Sequence, residues 1–235
     1  VGRSRPRLLD LYCCAGGSAA GYAAAGFDVT GVDVIAHERY PYPFALADAV
    51  EFVKAHGHEF DAIHASPPCQ AYSAARVFHP GRDHPDLIGP TRDALIASGR
   101  PWVIENVVGA PLINPVMLCG SMFGLAAVCR DGRRRGLRRH RLFEVSRGVE
   151  LWPPYSCDHA LPALSVYGHG GGSRPVFDTR IRGASYTAPA ADAAAALGIG
   201  WMSRDELAQA IPPAYTAHVG AALAAALAAA NVSNG

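Results

Sequence analysis

Leu8-Leu9-Asp10-Leu11-Tyr12-Cys13 is a short apolar run, met at once by Gly16-Gly17-Ser18 and then by Ala19 to Ala25, an alanine-rich stretch closed by Gly26. An apolar run of strand length, a glycine turn and a helix-favouring segment read as strand, turn, helix. The alternation continues outward. Phe27 to Val32 reads as a second strand ending in Asp33, and Asp48 follows a passage that holds Pro41 and Pro43. Phe60 to Ala65 reads as the next strand, Arg92 to Ser98 as a helix, and Trp102-Val103-Ile104 as a further strand ending in Glu105-Asn106. Strands alternating with helices predict a doubly wound, mostly parallel α/β sheet. Ligands of such sheets sit beyond the carboxyl ends of the strands, where Asp10 to Gly17, Asp33, Asp48, Cys69 and Glu105 all fall.

With 235 residues, half of them hydrophobic and 17% charged, the chain is globular and long enough for one α/β domain with a small insertion. The net charge of +1 does not by itself point to nucleic acid, but Arg130, Arg133, Arg134, Arg135, Arg138, Arg139 and Arg141 crowd one segment, for which phosphate contact is the favoured reading. The six cysteines contain no CxxC pair, and a chain of this size needs no disulfide staples, so a reducing compartment is expected. No segment has the basic-then-apolar pattern of a signal peptide, and Ala217 to Ala230 reads as too short and weakly apolar to span a bilayer. A soluble, cytoplasmic protein that engages no membrane is the expectation.

Beyond Asn114, Arg141-Leu142-Phe143-Glu144-Val145 reads as a strand, and the Pro-, Gly- and Ser-rich stretch from Trp152 to about Tyr186 as an insertion. Ala188 to Leu197, Arg204 to Ile211 and Tyr215 to Ala230 read as helices, with Ser203 and Glu206 forming a capping box and the last helix packing back on the core. The division expected is residues 1–146 as catalytic and cofactor-binding domain, 147–186 as insertion and 187–235 as C-terminal helices.

The chemistry centres on Ser66-Pro67-Pro68-Cys69-Gln70. Two prolines fix φ and hold the preceding residues extended, so the thiol after them points in a defined direction. Taken alone, Cys69 reads as a small buried hydrophobe; the convergence of strand ends favours a nucleophile instead. The Gly16-Gly17 turn lets the backbone approach a ligand and aims N–H groups at it, while Asp33 suits ribose hydroxyls. Without the spaced three-glycine fingerprint a dinucleotide fits poorly, and S-adenosylmethionine fits better, with Asp48 at the adenine amino group. A thiolate beside a methyl donor permits addition to C6 of a pyrimidine, methylation at C5 and loss of the C5 proton with expulsion of the thiol. That addition requires a polarised ring, and Glu105 is the candidate acid at N3 of cytosine, with Asn106 orienting it, although taken alone Glu105 reads as an exposed acid capping the next segment.

LLDLYCCAGGSAAGY at Leu8 to Tyr22, SPPCQAYS at Ser66 to Ser73, IENV at Ile104 to Val107 and RRHRLFEVS at Arg138 to Ser146 resemble, in order and spacing, the DNA cytosine-5 methyltransferases. The resemblance implies the Rossmann-like sheet of methyltransferases that use S-adenosylmethionine, double-stranded DNA as partner, base flipping and a monomer. It implies Cys69 as nucleophile, Glu105 at N3, and Arg139 and Arg141 binding the target nucleotide. It places Asp10, Tyr12, Cys13, Cys14, Ala15, Gly16, Gly17, Asp33, Val34, Asp48, Ala49 and Pro68 around the cofactor. Gln70, Ser73, Asn106 and Val107 would meet the substrate. The target-reading segment, between Arg147 and Tyr186, is short enough to read about two to four base pairs, and Gly168-His169-Gly170-Gly171-Gly172-Ser173-Arg174 reads equally as a groove-entering loop or a mobile surface loop.

Three positions depart from the family pattern. Cys14 stands where the glycine turn usually has Gly, Leu137 where a Gln usually precedes the arginines, and Gln209 to Tyr215 lacks a Gly-Asn pair. Cys157 and His159 suggest a metal, but two ligands without a partner pair carry none, and no metal is assigned. The alternatives are methyl transfer to an exocyclic amino group, which the Ser-Pro-Pro turn also resembles, transfer to tRNA, and a catalytically silent DNA-binding relative.

Overall fold

The structure, a computed structural model, describes residues 5–70, 72, 86–167 and 186–233. Ser73, the Gly168–Arg174 loop and most of the 74–89 loop lie outside the described residues. The first strand, β1 (Arg7–Leu11), is followed by helix α1 (Gly17–Ala24) and β2 (Asp28–Asp33). After β3 (Phe44–Leu46) come α2 (Ala49–His56), β4 (Ala62–Ala65), α3 (Ile88–Ser98) and β5 (Trp102–Asn106). Strands β6 (Val116–Leu118), β7 (Ala126–Val128), β8 (Arg134–Leu137), β9 (Arg141–Val145), β10 (Ala163–Ser165) and β11 (Tyr186–Thr187) lead to helices α4 (Ala190–Leu197), α5 (Arg204–Gln209) and α6 (Pro213–Ser233).

The larger sheet has the order β3-β2-β1-β4-β5-β9-β6. Strands β1 to β5 pair in parallel, and β9 runs antiparallel to both β5 and β6. This is the mixed α/β, mostly parallel sheet expected from the alternating pattern. Leu8, Leu9, Asp10 and Leu11 are all fully buried, because helices cover both faces of β1 and leave no solvent-facing alternation. Leu8, Ala62 and Val103 face α1 and α6 with Tyr22, Tyr215, Val219 and Leu223, while Leu9, Leu11, Ile63 and Ile104 share the opposite core with Val53 and Leu95. The strand order reverses between β1 and β4, so their loops diverge there and open a crevice at the carboxyl ends.

Helix α6 is longer than the sequence pattern suggests and is long and apolar enough to cross a membrane by length and composition. It packs along α1, and the approach is close enough that a Cβ on Gly21 would overlap Thr216 Oγ1. The Ser203–Glu206 capping box forms as expected.

A second sheet, β11-β10-β8-β7, packs against α4 and α5 through Leu137, Leu164, Ala193, Leu197 and Leu207. It takes β7 and β8 from before residue 146 and β10 and β11 from after it. Its strands are two to four residues long, too short for a legible period. Leu137 is buried in this core, where a Gln would place its amide among apolar side chains.

Candidate active site

The carboxyl ends of β1, β2, β4 and β5 surround a cleft of about 340 Å³, completed by α5 and the segment after it. The first wall is the turn after β1. Tyr12 and Cys14 have φ of 58° and 44°, and Gly16 has φ 87°, so the chain passes three times through left-handed backbone before α1 begins. Cys14 thus holds a conformation in which glycine is unstrained, a physical reason for the glycine otherwise usual there. The Cys14 N–H donates to Asp33 Oδ2 at 3.1 Å and the Ile35 N–H to Asp33 Oδ1 at 3.1 Å, so Asp33 ties the turn to the end of β2. Val34 and Ile35 follow it into the cleft, each 63% exposed, and form an apolar ledge suited to a flat ring. Asp48 lines the cleft and also caps α2, its Oδ1 accepting from the Glu51 N–H.

The opposite wall is the proline turn after β4. Buried His64, held neutral because burial depresses its pKa to about 3, bonds Tyr22 Oη through Nδ1 and Ser66 Oγ through Nε2, each at 2.8 Å. Asn106 Nδ2 donates to Pro67 O at 2.9 Å. The turn is therefore fixed from beneath and from the side, and Cys69 emerges half-buried into the cleft with Pro68 and Gln70. Burial raises the Cys69 thiol above its ordinary value; Arg141 acts against the rise and Glu105 adds to it. Burial likewise raises the Glu105 carboxyl, with Arg141 and Arg139 opposing. Arg141 Nε lies 2.9 Å from Glu105 Oε1, close enough for an ion pair, although its N–H is not directed at that oxygen, which has no hydrogen-bond donor among the described residues.

Of the residues singled out in the sequence, Tyr12, Cys13, Cys14, Ala15, Gly17, Asp33, Val34, Asp48, Pro68, Cys69, Gln70, Glu105, Val107 and Arg141 line this one cleft. Others stand behind its walls. Arg139 is buried and donates to Val166 O at 2.9 Å and Ala208 O at 2.6 Å, so its guanidinium joins the second sheet to α5 instead of facing the cleft. Asn106 spends its amide on Pro67 and on its own neighbour, the Val107 N–H, and so acts on the turn that carries Cys69. Asp10 is fully buried below the glycine turn, where Ser18 Oγ donates to Oδ2 at 2.6 Å and burial raises the carboxyl to about 7. Ala49 is buried at the start of α2, and Gly16 shapes the turn without lining the cleft.

The arginine segment divides as well. Arg130, Arg133 and Arg134 are exposed, whereas Arg135 pairs with Asp131 at 2.6 Å and Arg138 donates to His159 O and Leu161 O at 3.1 Å. Of the segment's arginines, Arg130, Arg133 and Arg134 are thus the ones whose side chains stand out in solvent. Met202, Glu206 and Ala208 to Ile211 also line the cleft. The Pro212-Pro213 pair that follows α5 is the available sign in the sequence that this segment turns back toward the glycine turn.

No protein-family model matches the sequence, and no curated protein matches it. Among solved structures, a candidate DNA modification methyltransferase encoded within an Escherichia coli prophage superposes with a TM-score of 0.59 at 14% identity, covering 95% of this chain and 99% of that one. The mixed α/β fold is thus one that a solved methyltransferase also has. A second methyltransferase of this fold, EhMeth of Entamoeba histolytica, superposes with a TM-score of 0.54 at 11% identity over 94% of this chain and 98% of its own. At these identities the likeness is one of fold, and the chemistry of the cleft has to be argued from its own residues.

Proposed function

We propose that this protein transfers a methyl group from S-adenosylmethionine to C5 of cytosine in duplex DNA, at a short site, through a covalent bond from Cys69 to C6 of a flipped base. The observation that carries the reading is that Cys69, Glu105 and Arg141 share one cleft with the glycine turn, Asp33 and the apolar ledge of Val34 and Ile35.

The residues fit the cofactor. A cleft of about 340 Å³ lies in the range of small-molecule sites. Val34 and Ile35 offer an apolar surface to the adenine, and Asp33 lies where ribose hydroxyls are bound in open α/β sheets. When bound, the cofactor supplies an electrophilic methyl group to C5.

The chain's own groups account for the rest. Cys69 is a thiol in the resting protein, since its pKa is raised, and it becomes a nucleophile on losing its proton. As its sulfur bonds to C6, the ring electrons move toward C5 and N3 takes a proton. Glu105, with its own pKa raised, holds that proton more readily than an exposed glutamate does. Loss of the proton from methylated C5 to solvent, with N3 returning its proton to Glu105, then reforms the ring double bond and breaks the S–C6 bond, returning the Cys69 thiolate. Arg141 beside both groups favours their ionised forms and sets the balance between them.

The test is to incubate the protein and cofactor with duplexes carrying 5-fluorocytosine, whose C5 has no proton to lose. A denaturation-resistant adduct that disappears in Cys69→Ser supports the reading. Absence of an adduct on DNA and RNA across a range of sites overturns the cysteine mechanism, and methyl found on N4 of cytosine redirects it to exocyclic transfer.

A further inference from the structure

Cys157 and His159 lack a partner pair in the sequence, and the fold supplies one. In the antiparallel pairing of β6 and β9, Leu118 stands opposite Arg141, so the next residues outward, Cys119 and His140, come together at the sheet end. The segment after β9 returns over the same place and delivers Cys157 and His159. One ligand atom from each of these four residues lies within 4.8 Å of all the others.

We propose that Cys119, His140, Cys157 and His159 form a structural zinc site. A tetrahedral zinc with ordinary Zn–S and Zn–N bonds puts each sulfur about 3.6 Å from each nitrogen. The two contacts observed here, Cys119 Sγ to His159 Nε2 at 3.3 Å and Cys157 Sγ to His140 Nε2 at 3.7 Å, bracket that value. Two thiolates and two imidazoles are a donor set that zinc takes in closed structural sites. The shell beyond the ligands is built to match. Ser121 Oγ donates to Cys119 Sγ at 3.2 Å and is itself held by the Asp158 N–H at 3.1 Å, while Arg138 ties the His159 carbonyl down. Hydrogen bonds of this kind orient thiolate ligands and sustain their charge. The ion would clamp the segment around Cys157 to the β6–β9 end, immediately beside Arg139 and Arg141. This site is separate from the methyl-transfer cleft, and its existence does not depend on the reaction proposed there.

The experiment uses the full chain without a histidine tag, purified under reducing conditions and analysed for metal by mass spectrometry. About one zinc per chain is expected, falling to near zero in a Cys157→Ser/His159→Gln variant whose circular dichroism keeps its helical signal. To keep the test independent of that variant's folding, the wild-type apoprotein is also titrated with Co²⁺. Thiolate-to-cobalt charge-transfer bands and the intense visible bands of tetrahedral cobalt are expected, and zinc should bleach them. Ser121→Ala should weaken zinc binding by about tenfold. No retained zinc and no cobalt bands in the folded, reduced protein would overturn the proposal, as would a Cys119–Cys157 disulfide whose reduction restores no metal binding.

Discussion

Asp10→Asn should make the protein more stable at neutral and alkaline pH while leaving it nearly unchanged at pH 4. The wild-type carboxyl is fully buried on β1, accepts one hydrogen bond from Ser18, and has an Oδ1 that no donor among the described residues reaches. Burial is the largest cause of its rise from 3.8 to about 7, and the neighbouring Asp33 and Glu105 charges push the same way. The native state therefore keeps a proton that the unfolded chain releases. Stability from this group is fully present below the unfolded value and is lost as pH rises through the folded one. At about 1.4 kcal/mol per pH unit over roughly three units, the loss reaches up to about 4 kcal/mol. Asparagine has the same shape, can accept from Ser18 and has no charge to bury. Urea denaturation of both proteins from pH 4 to pH 8 reads the effect as a difference between two curves, in which groups remote from Asp10 cancel and the coupling to Asp33 and Glu105 is included. The expected difference grows in favour of the variant between pH 4 and 7 and then levels off. A difference that stays flat with pH, or one that favours the wild type at pH 8, would refute the reasoning.

Three further outcomes are expected. Gly21→Ala should cost about 3 kcal/mol in chemical denaturation, because its Cβ would overlap both Thr216 Oγ1 and Pro213 O and would force α1 and α6 apart. Arg92→Ala should destabilise by about 3 kcal/mol, because Arg92 bonds both Glu144 oxygens at 2.7 Å and its loss strands a carboxylate that is almost fully buried. Alkylation of Cys69 at fixed pH, followed on its peptide by mass spectrometry, should be faster in Glu105→Gln and slower in Arg141→Gln, since the carboxylate raises and the guanidinium lowers the thiol's pKa; the Glu105 variant should nonetheless methylate on the order of a hundredfold or more slowly if its acid serves N3.

What is legible in the sequence is what local pattern carries. The buried strands β1, β4 and β5 and the turns after them each occupy one continuous stretch, so apolar runs ending in Gly16-Gly17 or Pro67-Pro68 locate both the sheet and its reactive rim. The strand at Arg141–Val145 is equally plain. Helix α2 is not, because its Asp48 N-cap reads as a ligand group, and a cap and a ligand are the same residue type at the same strand end. The second sheet is invisible, since its short strands come from segments far apart in the chain. Arg139 and Asn106 can be placed near the site but not turned toward or away from it, because that depends on which backbone carbonyls happen to need a donor.

The segment Arg139-His140-Arg141 shows how much of the molecule one short stretch can coordinate. Its three side chains diverge as the chain enters β9. Arg139 turns inward to the carbonyls of Val166 and Ala208, His140 turns to Cys157, and Arg141 reaches Glu105 in the cleft. Ala208 itself lines that cleft, so Arg139 fixes part of the wall opposite the residue two positions after it. The Tyr215 hydroxyl donates to the Arg139 carbonyl at 2.6 Å, which anchors the same stretch to α6 and hence to α1 and the glycine turn. Any shift of this strand end would therefore move Arg141 relative to Glu105 and Cys69 and, at the same time, move the α5 wall across the cleft. A buried arginine whose charge is spent on backbone carbonyls is costly to maintain, and burial together with Arg141 pushes its pKa down from the ordinary value. That cost is explicable when the stretch it anchors carries Arg141 to Glu105 on one side of the cleft and holds Ala208 on another.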